Sequence, residues 1–317
     1  MDKLKIIEVR SEIAAGTRGA SLGVDAVKVA SLDAKSDYFS RMESVVVDDE
    51  NKVLFEPNRF KYAKYIDSVY KMLKRVRDNV EEVMLEEKKF PIVLAGDHST
   101  AAGTILGIKA ARPQQRLGVI WIDAHADIHS PFTSPTGNMH GMPLAMVTGI
   151  DNLEMKVNDP NEETLAYWQR IKELGGPDQI IKTEDIVYIV VRDVEDQEKE
   201  ILSSHNILNI TVEDIKEEGI KSASDRALEH LKHCDIIYVS FDVDSIDAQY
   251  AKGTGTPVPH GLTMEQAKEL NEELIKSHKV CAWEMVEVNP TLDSENNMAR
   301  MAFEILDATT ESLIEHF

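Results

Sequence analysis

The 317-residue chain has few of several residue types, and each shortage excludes a class of protein. Its two cysteines, Cys234 and Cys281, are too few for a disulfide framework. No stretch approaches the roughly 18 consecutive apolar residues that a transmembrane helix needs. The N-terminal residues MDKLKIIEVRSEI lack the apolar core and the cleavage site of a signal peptide. We therefore expect a cytoplasmic protein whose thiols are free and buried.

Basic side chains are also scarce. Lysine and arginine number 35 against 56 aspartates and glutamates, so the formal net charge is -21. Such a surface repels phosphate groups, so we expect no nucleic-acid partner and no binding to an anionic membrane. A small cationic substrate would instead be attracted. Since acidity can also serve solubility alone, the bulk charge does not decide between these interpretations.

What the chain does contain predicts a single globular domain over residues 1–317, because hydrophobic residues make up 43% and there are no repeats or linkers. Six short runs are rich in β-forming residues, and most are continuously apolar. Strands that are covered on both faces have this composition, which indicates a parallel sheet. The predicted strands are Leu4–Val9, Pro91–Ala95, Leu117–Ile122, Asp185–Val191, Asp235–Phe241 and Cys281–Val288.

Helical patterns lie between these runs. Apolar residues at steps of three or four form one stripe along Tyr62–Glu87, and Thr263 with Gln266 forms a capping box. The predicted helices are Tyr62–Glu87, Ser99–Ala111, Thr263–Ser277 and Asn296–Phe317, and the polar stretches Val46–Asn58 and Lys156–Asp185 are expected to be surface excursions. Alternating strands and helices predict an α/β fold, with three α/β/α layers around a central, mostly parallel sheet.

Ionisable side chains follow four of the predicted strands at their carboxyl ends. They are Asp97 and His98, then Asp123, His125 and Asp127, then Asp242 and Asp244, and finally Glu287. Because the carboxyl ends of parallel strands share one edge of the sheet, these groups should converge there. In an extended segment alternate side chains face the same way, so Asp123, His125 and Asp127 are expected to face one point.

Several carboxylates in one shielded place repel one another unless a cation lies among them. Four carboxylates and two imidazoles without a thiolate suit Mn²⁺ better than Zn²⁺, and they are enough for two ions. The candidate metal ligands are His98, Asp123, His125, Asp127, Asp242 and Asp244. Each motif alone has a plainer explanation: a solvated loop, a helix cap, or a core histidine. Their common position at strand ends favours the metal site.

At these residues the chain resembles the arginases, members of the ureohydrolase family that also includes agmatinase and formiminoglutamase. The matching blocks run in order from about Ser11 to Pro290. They are AAGTRGASLG (Ala14–Gly23), AGDHS (Ala95–Ser99), DAHAD (Asp123–Asp127), GNMHGMP (Gly137–Pro143), VRDVEDQE (Val191–Glu198), SFDVDSID (Ser240–Asp247), GTGTPVPHGLT (Gly253–Thr263) and EVNP (Glu287–Pro290).

The resemblance implies two Mn²⁺ ions per subunit, with Asp123 and Asp242 bridging them. One ion would take His98, Asp123, Asp127 and Asp242, and the other Asp123, His125, Asp242 and Asp244. A hydroxide held between the ions would attack the guanidinium carbon, and Asp127 would orient it. By the same resemblance Glu287 binds the guanidinium, and His140 moves a proton.

The resemblance also implies the residues that contact substrate: His129, Thr136, Asn138, Glu195, Glu198, Thr256 and Glu287. His129 and Thr136 stand where arginases usually have an asparagine and a serine that hold the substrate α-carboxylate. Glu195 stands where an aspartate usually holds the α-amino group, and Glu198 is a second acid on that side. These departures leave the choice between arginine and agmatine open.

The expected reaction is Mn²⁺-dependent hydrolysis of L-arginine to L-ornithine and urea. One alternative is a related reaction at the same dinuclear site, on agmatine, 4-guanidinobutyrate or formiminoglutamate. An alternative of a different class is a catalytically silent ligand-binding protein on this scaffold. The resemblance further implies a homo-oligomer, a trimer or a hexamer.

Overall fold

A computed structural model describes residues 1–176, 180–250 and 252–316. Eight strands form one sheet in the order β2-β1-β3-β8-β7-β4-β5-β6, and every neighbouring pair is parallel. The strands are β1 (Leu4–Val9), β2 (Ser44–Val47), β3 (Phe90–Ala95), β4 (Leu117–Ile122), β5 (Ile186–Ile189), β6 (Leu208–Ile210), β7 (Ile236–Asp242) and β8 (Val280–Val286).

Eleven α-helices connect or flank these strands within the described residues. They are α1 (Gly23–Asp33), α2 (Tyr38–Arg41), α3 (Ile66–Leu85), α4 (Ala101–Ala111), α5 (Pro143–Thr148), α6 (Glu162–Glu173), α7 (Asp196–Ser204), α8 (Val212–Glu218), α9 (Ile220–His230), α10 (Met264–Ile275) and α11 (Asn297–His316).

The sheet is covered on both faces, because adjacent residues of one strand pack into different cores. In β3, Ile92 belongs to the core shared with α10 and α11, whereas Val93 belongs to the core shared with α3 and α4. Ile120 and Val119 of β4 divide in the same way. This pattern explains why the strands are continuously apolar. The predicted three-layer α/β fold with a parallel sheet is confirmed.

The two strongest helix signals are also confirmed. Along α3 the predicted stripe is buried, including Val69, Leu73 and Val76. At α10 the Thr263 hydroxyl accepts from the Gln266 backbone N–H at 3.1 Å, and the Gln266 side chain accepts from the Thr263 N–H at 2.9 Å. This reciprocal pair is the predicted capping box, and it sets the first turn of the helix.

Other predictions need correction. The stretch Val46–Asn58 is not only a surface excursion, because its first residues complete the edge strand β2. Lys156–Asp185 contains α6, which buries Trp168 and Ile171. Strand β6 was missed because three residues carry too little periodic signal, and β2 because it is half exposed.

Strand and helix ends also shift. Predicted strand Asp185–Val191 ends early because Val190 adopts a φ of 63°, and predicted strand Cys281–Val288 ends before Glu287, whose φ is 66°. Within the described residues no helix combines the length and the apolarity that crossing a bilayer requires. Residues 177–179 of the predicted excursion and the last residue of the predicted final helix, Phe317, lie outside the described residues.

The expectation for the two thiols holds for one of them. Cys234 is buried and Cys281 is half-buried. Burial raises the pKa of each thiol to about 12. Both side chains are therefore protonated and poorly nucleophilic at neutral pH.

Candidate active site

The four strands that end in ionisable residues are consecutive in the sheet, in the order β3-β8-β7-β4. Their carboxyl ends therefore open onto one place. Asp97, His98, Asp123, Asp242 and Glu287 are each at most 4% exposed there. The predicted convergence of these groups is what the structure shows.

His98 lies at the centre of the first ligand group. Its Nδ1 atom lies 3.1 Å from Asp123 Oδ2, 3.1 Å from Asp127 Oδ2 and 3.2 Å from Asp242 Oδ2. Among the described residues this buried nitrogen has no hydrogen-bond partner of acceptable angle. An imidazole lone pair surrounded by three carboxylate oxygens is the donor set of a divalent cation.

A second group shares Asp123 with the first. His125 Nδ1 lies 3.5 Å from Asp123 Oδ1 and 3.0 Å from Asp244 Oδ2. Ligand atoms of Asp123, His125 and Asp244 lie within 4.8 Å of one another, as do those of His98, Asp123 and Asp127. Asp123 therefore belongs to both candidate ligand groups.

The electrostatics of the cluster also fit cations. Burial, and then repulsion by Asp123, raises the pKa of Asp127 to about 6. Burial and the neighbouring carboxylates likewise raise the pKa values of Asp242 and Asp244. The protein alone therefore holds protons at this site, and divalent ions would replace them. The residues present, oxygen-rich with two imidazoles, fit such ions.

The backbone reaches this arrangement by turns rather than by an extended segment, which corrects the expectation of alternating side chains. Asp123 Oδ1 accepts from the His125 N–H at 2.7 Å, so the chain bends at once after β4. Asp242 Oδ1 accepts from the Asp244 N–H at 2.7 Å in the same manner. Asp127 then takes a φ of 50°. Such backbone strain is concentrated at functional sites.

Two supporting residues were missed by sequence reasoning. Trp121 Nε1 donates to Asp123 Oδ2 at 3.0 Å, and its ring stacks on His98 with centroids 4.0 Å apart. Ser240 Oγ lies 2.8 Å from His98 Nε2. Ser240 precedes Asp242 by two positions within β7 and so shares its face, and Trp121 lies near the end of β4, two positions before Asp123. Contacts of this kind orient ligands.

The cluster forms the floor of a cavity of about 420 Å³. Glu287 Oε1 accepts from the His98 backbone N–H at 3.0 Å and lies 3.2 Å from His140 Nδ1. Burial acts to lower the pKa of His140, but Glu287, Asp127 and Asp97 outweigh it and raise the pKa to about 9. The cavity thus pairs a buried carboxylate with an imidazolium.

One wall of the cavity is acidic. His129 Nε2 lies 3.2 Å from Glu195 Oε2 and 3.6 Å from Glu198 Oε2, and its Nδ1 lies 3.1 Å from Thr133 Oγ1. A hydrogen bond with His129 lowers the pKa of Glu195 to about 2. Burial and Glu195 raise the pKa of Glu198 well above its ordinary value. His129 is therefore paired with the acids of its own chain.

A second wall of the cavity carries Thr136 and Asn138, which line it together with Thr256. Thr136 Oγ1 accepts from the Asn138 backbone N–H at 3.1 Å, so its hydroxyl proton is free to donate elsewhere. Thr256 Oγ1 donates to Asp244 Oδ2 at 3.2 Å. Every predicted site residue except Asp123 thus lines one cavity, and Asp123 is buried beside its lining residues His98 and His125.

A separate cluster at the amino edge of the sheet joins Asp185, His233 and Cys234. His233 Nε2 lies 2.8 Å from Asp185 Oδ1, but Arg116 Nε donates to both oxygens of that carboxylate at 2.9 and 3.0 Å. The guanidinium already neutralises Asp185, and the Cys234 thiol is protonated. We therefore interpret this cluster as an ion-pair site for Arg116 and not as a metal site.

The fold and the cavity together define an α/β protein with a metal-ligand cluster at the carboxyl edge of a parallel sheet. The sequence profile of the arginase family matches residues 3–310. The chain belongs to the arginase family. That membership confirms the predicted family and the predicted class of enzyme, a ureohydrolase acting on C–N bonds of amidines.

Individual relatives agree in sequence and structure. The arginase of Brevibacillus brevis is 32% identical over 309 residues, which cover 96% of each chain. That of Bacillus subtilis is 33% identical over 313 residues, covering 97% of this chain and 98% of its own. The crystal structure of Entamoeba histolytica arginase in complex with L-ornithine superposes with a TM-score of 0.82 at 26% identity, covering 98% of both chains.

Proposed function

We propose that this protein hydrolyses L-arginine to L-ornithine and urea. The observation that carries the proposal is the buried carboxylate of Glu287 beside the His98 ligand group, within one cavity. A planar guanidinium presents several N–H donors, and a carboxylate matches that geometry. The relatives named arginase support the same substrate.

We further propose that two Mn²⁺ ions bind each subunit. The first would be held by His98, Asp123, Asp127 and Asp242, and the second by Asp123, His125, Asp242 and Asp244. When bound, the ions would supply an activated water for attack on a trigonal carbon. Ser240 Oγ lies 2.8 Å from His98 Nε2, so an Nε2–H donated to Ser240 would leave the Nδ1 lone pair for the ion.

The remaining chemistry belongs to side chains of this protein. Glu287 receives the guanidinium and is kept in place by the His98 N–H and by His140. His140 holds a proton that it can give to the leaving amine, because its pKa is raised to about 9. Asp127 orients the attacking water from the floor of the cavity.

The amino-acid end of the substrate would lie between the two walls. Glu195 and Glu198 receive the α-amino group, while Thr136, Asn138 and His129 face the α-carboxylate. Thr256 supports the guanidinium end through its contact with Asp244. A related reaction on agmatine, which lacks the carboxylate, is favoured by one observation: His129 is already paired with Glu195.

One assay tests these proposals. Purified protein is loaded with Mn²⁺ and incubated with L-arginine, agmatine and 4-guanidinobutyrate, and urea and the amine product are quantified. We expect the highest kcat/KM with L-arginine. A preference for agmatine would replace the arginine proposal with the related reaction. Tight arginine binding without urea from any compound would instead support a silent binding protein.

We also propose that the protein is cytoplasmic and assembles as a trimer or hexamer of identical subunits. Sedimentation equilibrium of the Mn²⁺-loaded protein tests the assembly. A species of 35.6 kDa, the mass of one chain, would contradict it.

A further inference from the structure

Lys64 lies directly behind the wall of the cavity that carries Thr136 and Asn138. Its Nζ donates to Asn138 Oδ1 at 2.8 Å, and its backbone N–H donates to the Gly137 carbonyl at 2.8 Å. Within the described residues no carboxylate lies within ion-pair distance of this ammonium. Although the protein has 56 acidic residues, the Lys64 ammonium is thus paired with an uncharged amide, that of Asn138, at the substrate cavity.

Main-chain packing against Gly137 helps to fix the position of Lys64. Gly137 has a φ of 73°, and a Cβ added there would lie 2.2 Å from the Lys61 carbonyl oxygen. The segment that contains Lys61 and Lys64 therefore packs backbone against backbone on the Gly137 turn, which only glycine permits. Lys64 is held against Asn138 by main-chain contacts as well as by its own side chain.

This contact fixes which way the Asn138 amide points. An ammonium only donates hydrogen bonds, so Lys64 can pair with Oδ1 and not with Nδ2. The Nδ2 group is thereby turned to the opposite side, where a Cβ added to Gly16 would lie 2.8 Å from it. Among the described residues no acceptor takes the Nδ2 protons. They are available to an acceptor in the cavity that Gly16, Thr136 and Asn138 line.

The two walls of the cavity consequently differ in charge. Glu195 and Glu198 make one wall acidic, whereas Thr136 and Asn138 present donors that are backed by the Lys64 ammonium. A depression of about 360 Å³ beside this second wall is lined by Lys61 and Lys64 and shares Thr136 with the cavity. An α-amino acid matches this polarity, because its ammonium and carboxylate are adjacent.

We propose that Lys64 is a positioning residue that selects substrates carrying an α-carboxylate. It acts through Asn138, by holding the amide with its donors toward the carboxylate, and it touches neither the metal ligands nor the guanidinium site. The inference rests on the proposed function, since it assumes a guanidino amino acid in the cavity. By this inference Lys64, a residue that sequence reasoning did not select, discriminates between L-arginine and agmatine.

Steady-state kinetics of Lys64→Met with L-arginine and agmatine test this role. We expect KM for L-arginine to rise about five- to tenfold, the effect of losing one oriented hydrogen bond, while kcat stays within about twofold. The kcat/KM for agmatine should stay within about twofold of the wild type. If agmatine turns over too slowly, its inhibition constant against L-arginine replaces kcat/KM. Lys61→Met, which removes a neighbouring ammonium that contacts Tyr62, is the matched control and should leave both substrates unchanged.

A double-mutant cycle separates positioning from general charge. In an Asn138→Ala background, Lys64→Met should change KM for L-arginine by less than about twofold, because the group through which Lys64 acts is gone. An undiminished effect in that background, an unchanged KM in the single variant, or equal losses on arginine and agmatine would each overturn the inference. A wild-type protein that releases no urea from L-arginine would contradict the proposed function itself.

Discussion

The ligand candidates of the cavity floor differ in how firmly neighbouring residues hold them. Asp123 receives hydrogen bonds from Trp121 and from the His125 backbone, so its oxygens have fixed directions before any ion binds. Asp127 differs, because among the described residues its carboxylate has an ion pair with His98 alone, and its backbone is in the left-handed region. Loss of its charge should therefore affect metal binding more than folding.

Asp127→Asn tests this expectation. The substitution removes one anion from the His98 group, so we expect bound Mn²⁺ per subunit to fall and urea release to drop together. Metal content is measured by atomic emission after dialysis. The matched control is Asp193→Asn, which removes an exposed carboxylate 3.7 Å from His125 Nε2. Full metal content and activity in Asp127→Asn would contradict the assignment.

Glu287→Gln tests the guanidinium site apart from the metal. The amide keeps the size of the side chain but loses the charge that faces a guanidinium. We expect kcat/KM for L-arginine to fall about 100-fold, the effect of losing a charge-assisted pair. Bound Mn²⁺ should be unchanged, since Glu287 lies outside both ligand groups. An equal loss of metal would show that Glu287 instead organises the ions.

At the scale of elements, the close packing of α3 against α4 positions the segment that follows strand β3. A Cβ added to Gly103 would lie 2.8 Å from Val76 Cβ, and one added to Gly107 would lie 2.6 Å from Val80 Cβ. The two glycines, four residues apart, let the helices approach closely. Since α4 begins just after His98, this packing sets the start of the metal cluster.

Gly107→Ala should therefore destabilise the protein although alanine favours helices. The propensity gain is about 1 kcal/mol, whereas forcing apart a packed interface costs about 1–3 kcal/mol. The added Cβ would also lie 2.7 Å from the Arg77 carbonyl oxygen, which cannot rotate away. Urea-induced unfolding measures the change. A variant more stable than the wild type would show that the helix pair can separate freely.

Strand β1 is joined to α1 by an ion pair whose carboxylate is buried. Glu8 is 1% exposed, and its oxygens lie 2.6 Å from Lys28 Nζ and 2.8 Å from Arg10 Nη2. Burial acts to raise the pKa of Glu8, but the two cations outweigh it and hold the pKa below its ordinary value of 4.5. A lowered pKa stabilises the fold above pH 4.5, and this stabilisation is lost as the pH falls.

Glu8→Gln should lower the free energy of unfolding at pH 7 by about 2 kcal/mol, the worth of hydrogen bonds to a buried charged group. The difference from the wild type should shrink as the pH falls below 4.5 and through the lowered pKa of Glu8, where the carboxylate itself becomes protonated. Glu43→Gln, which removes an exposed partner of Lys5 and Lys89, should leave stability nearly unchanged. A difference independent of pH would show that shape rather than charge matters at Glu8.

For the whole molecule, the dominant fact is a net charge of -21 with several of its acids buried at one edge. Without ions the cluster binds protons, and burial raises the pKa of Asp127 to about 6. Divalent ions would therefore compete with protons and would bind to the folded chain only, because the candidate ligands come from three separate segments.

Mn²⁺ should accordingly stabilise the whole chain against heat. At a hundred times its Kd it adds about 2.7 kcal/mol per independent ion. The rise in Tm over the metal-free protein should be larger at pH 8 than at pH 5, where protonated Asp127 opposes binding. Differential scanning calorimetry measures both. An equal rise at both pH values, or none, would contradict a site built from carboxylates with raised pKa.

Much of this molecule could be predicted from sequence because the signals are local. Continuous apolar runs revealed six of the eight strands, and alternating helices predicted the layers. The position of Asp123 or Glu287 after a strand predicted the edge that they share. What the signals missed was short or half-exposed, such as β6 and β2.

The sequence by itself determined which acids and imidazoles stand at strand ends, because side-chain chemistry and strand pattern are properties of neighbouring residues. Only the tertiary structure decided that β3, β8, β7 and β4 are neighbours, since strand order depends on crossovers between distant segments. Only it placed Lys64 on Asn138, 74 positions away. No local pattern marks such a contact, because two backbones must first meet at Gly137.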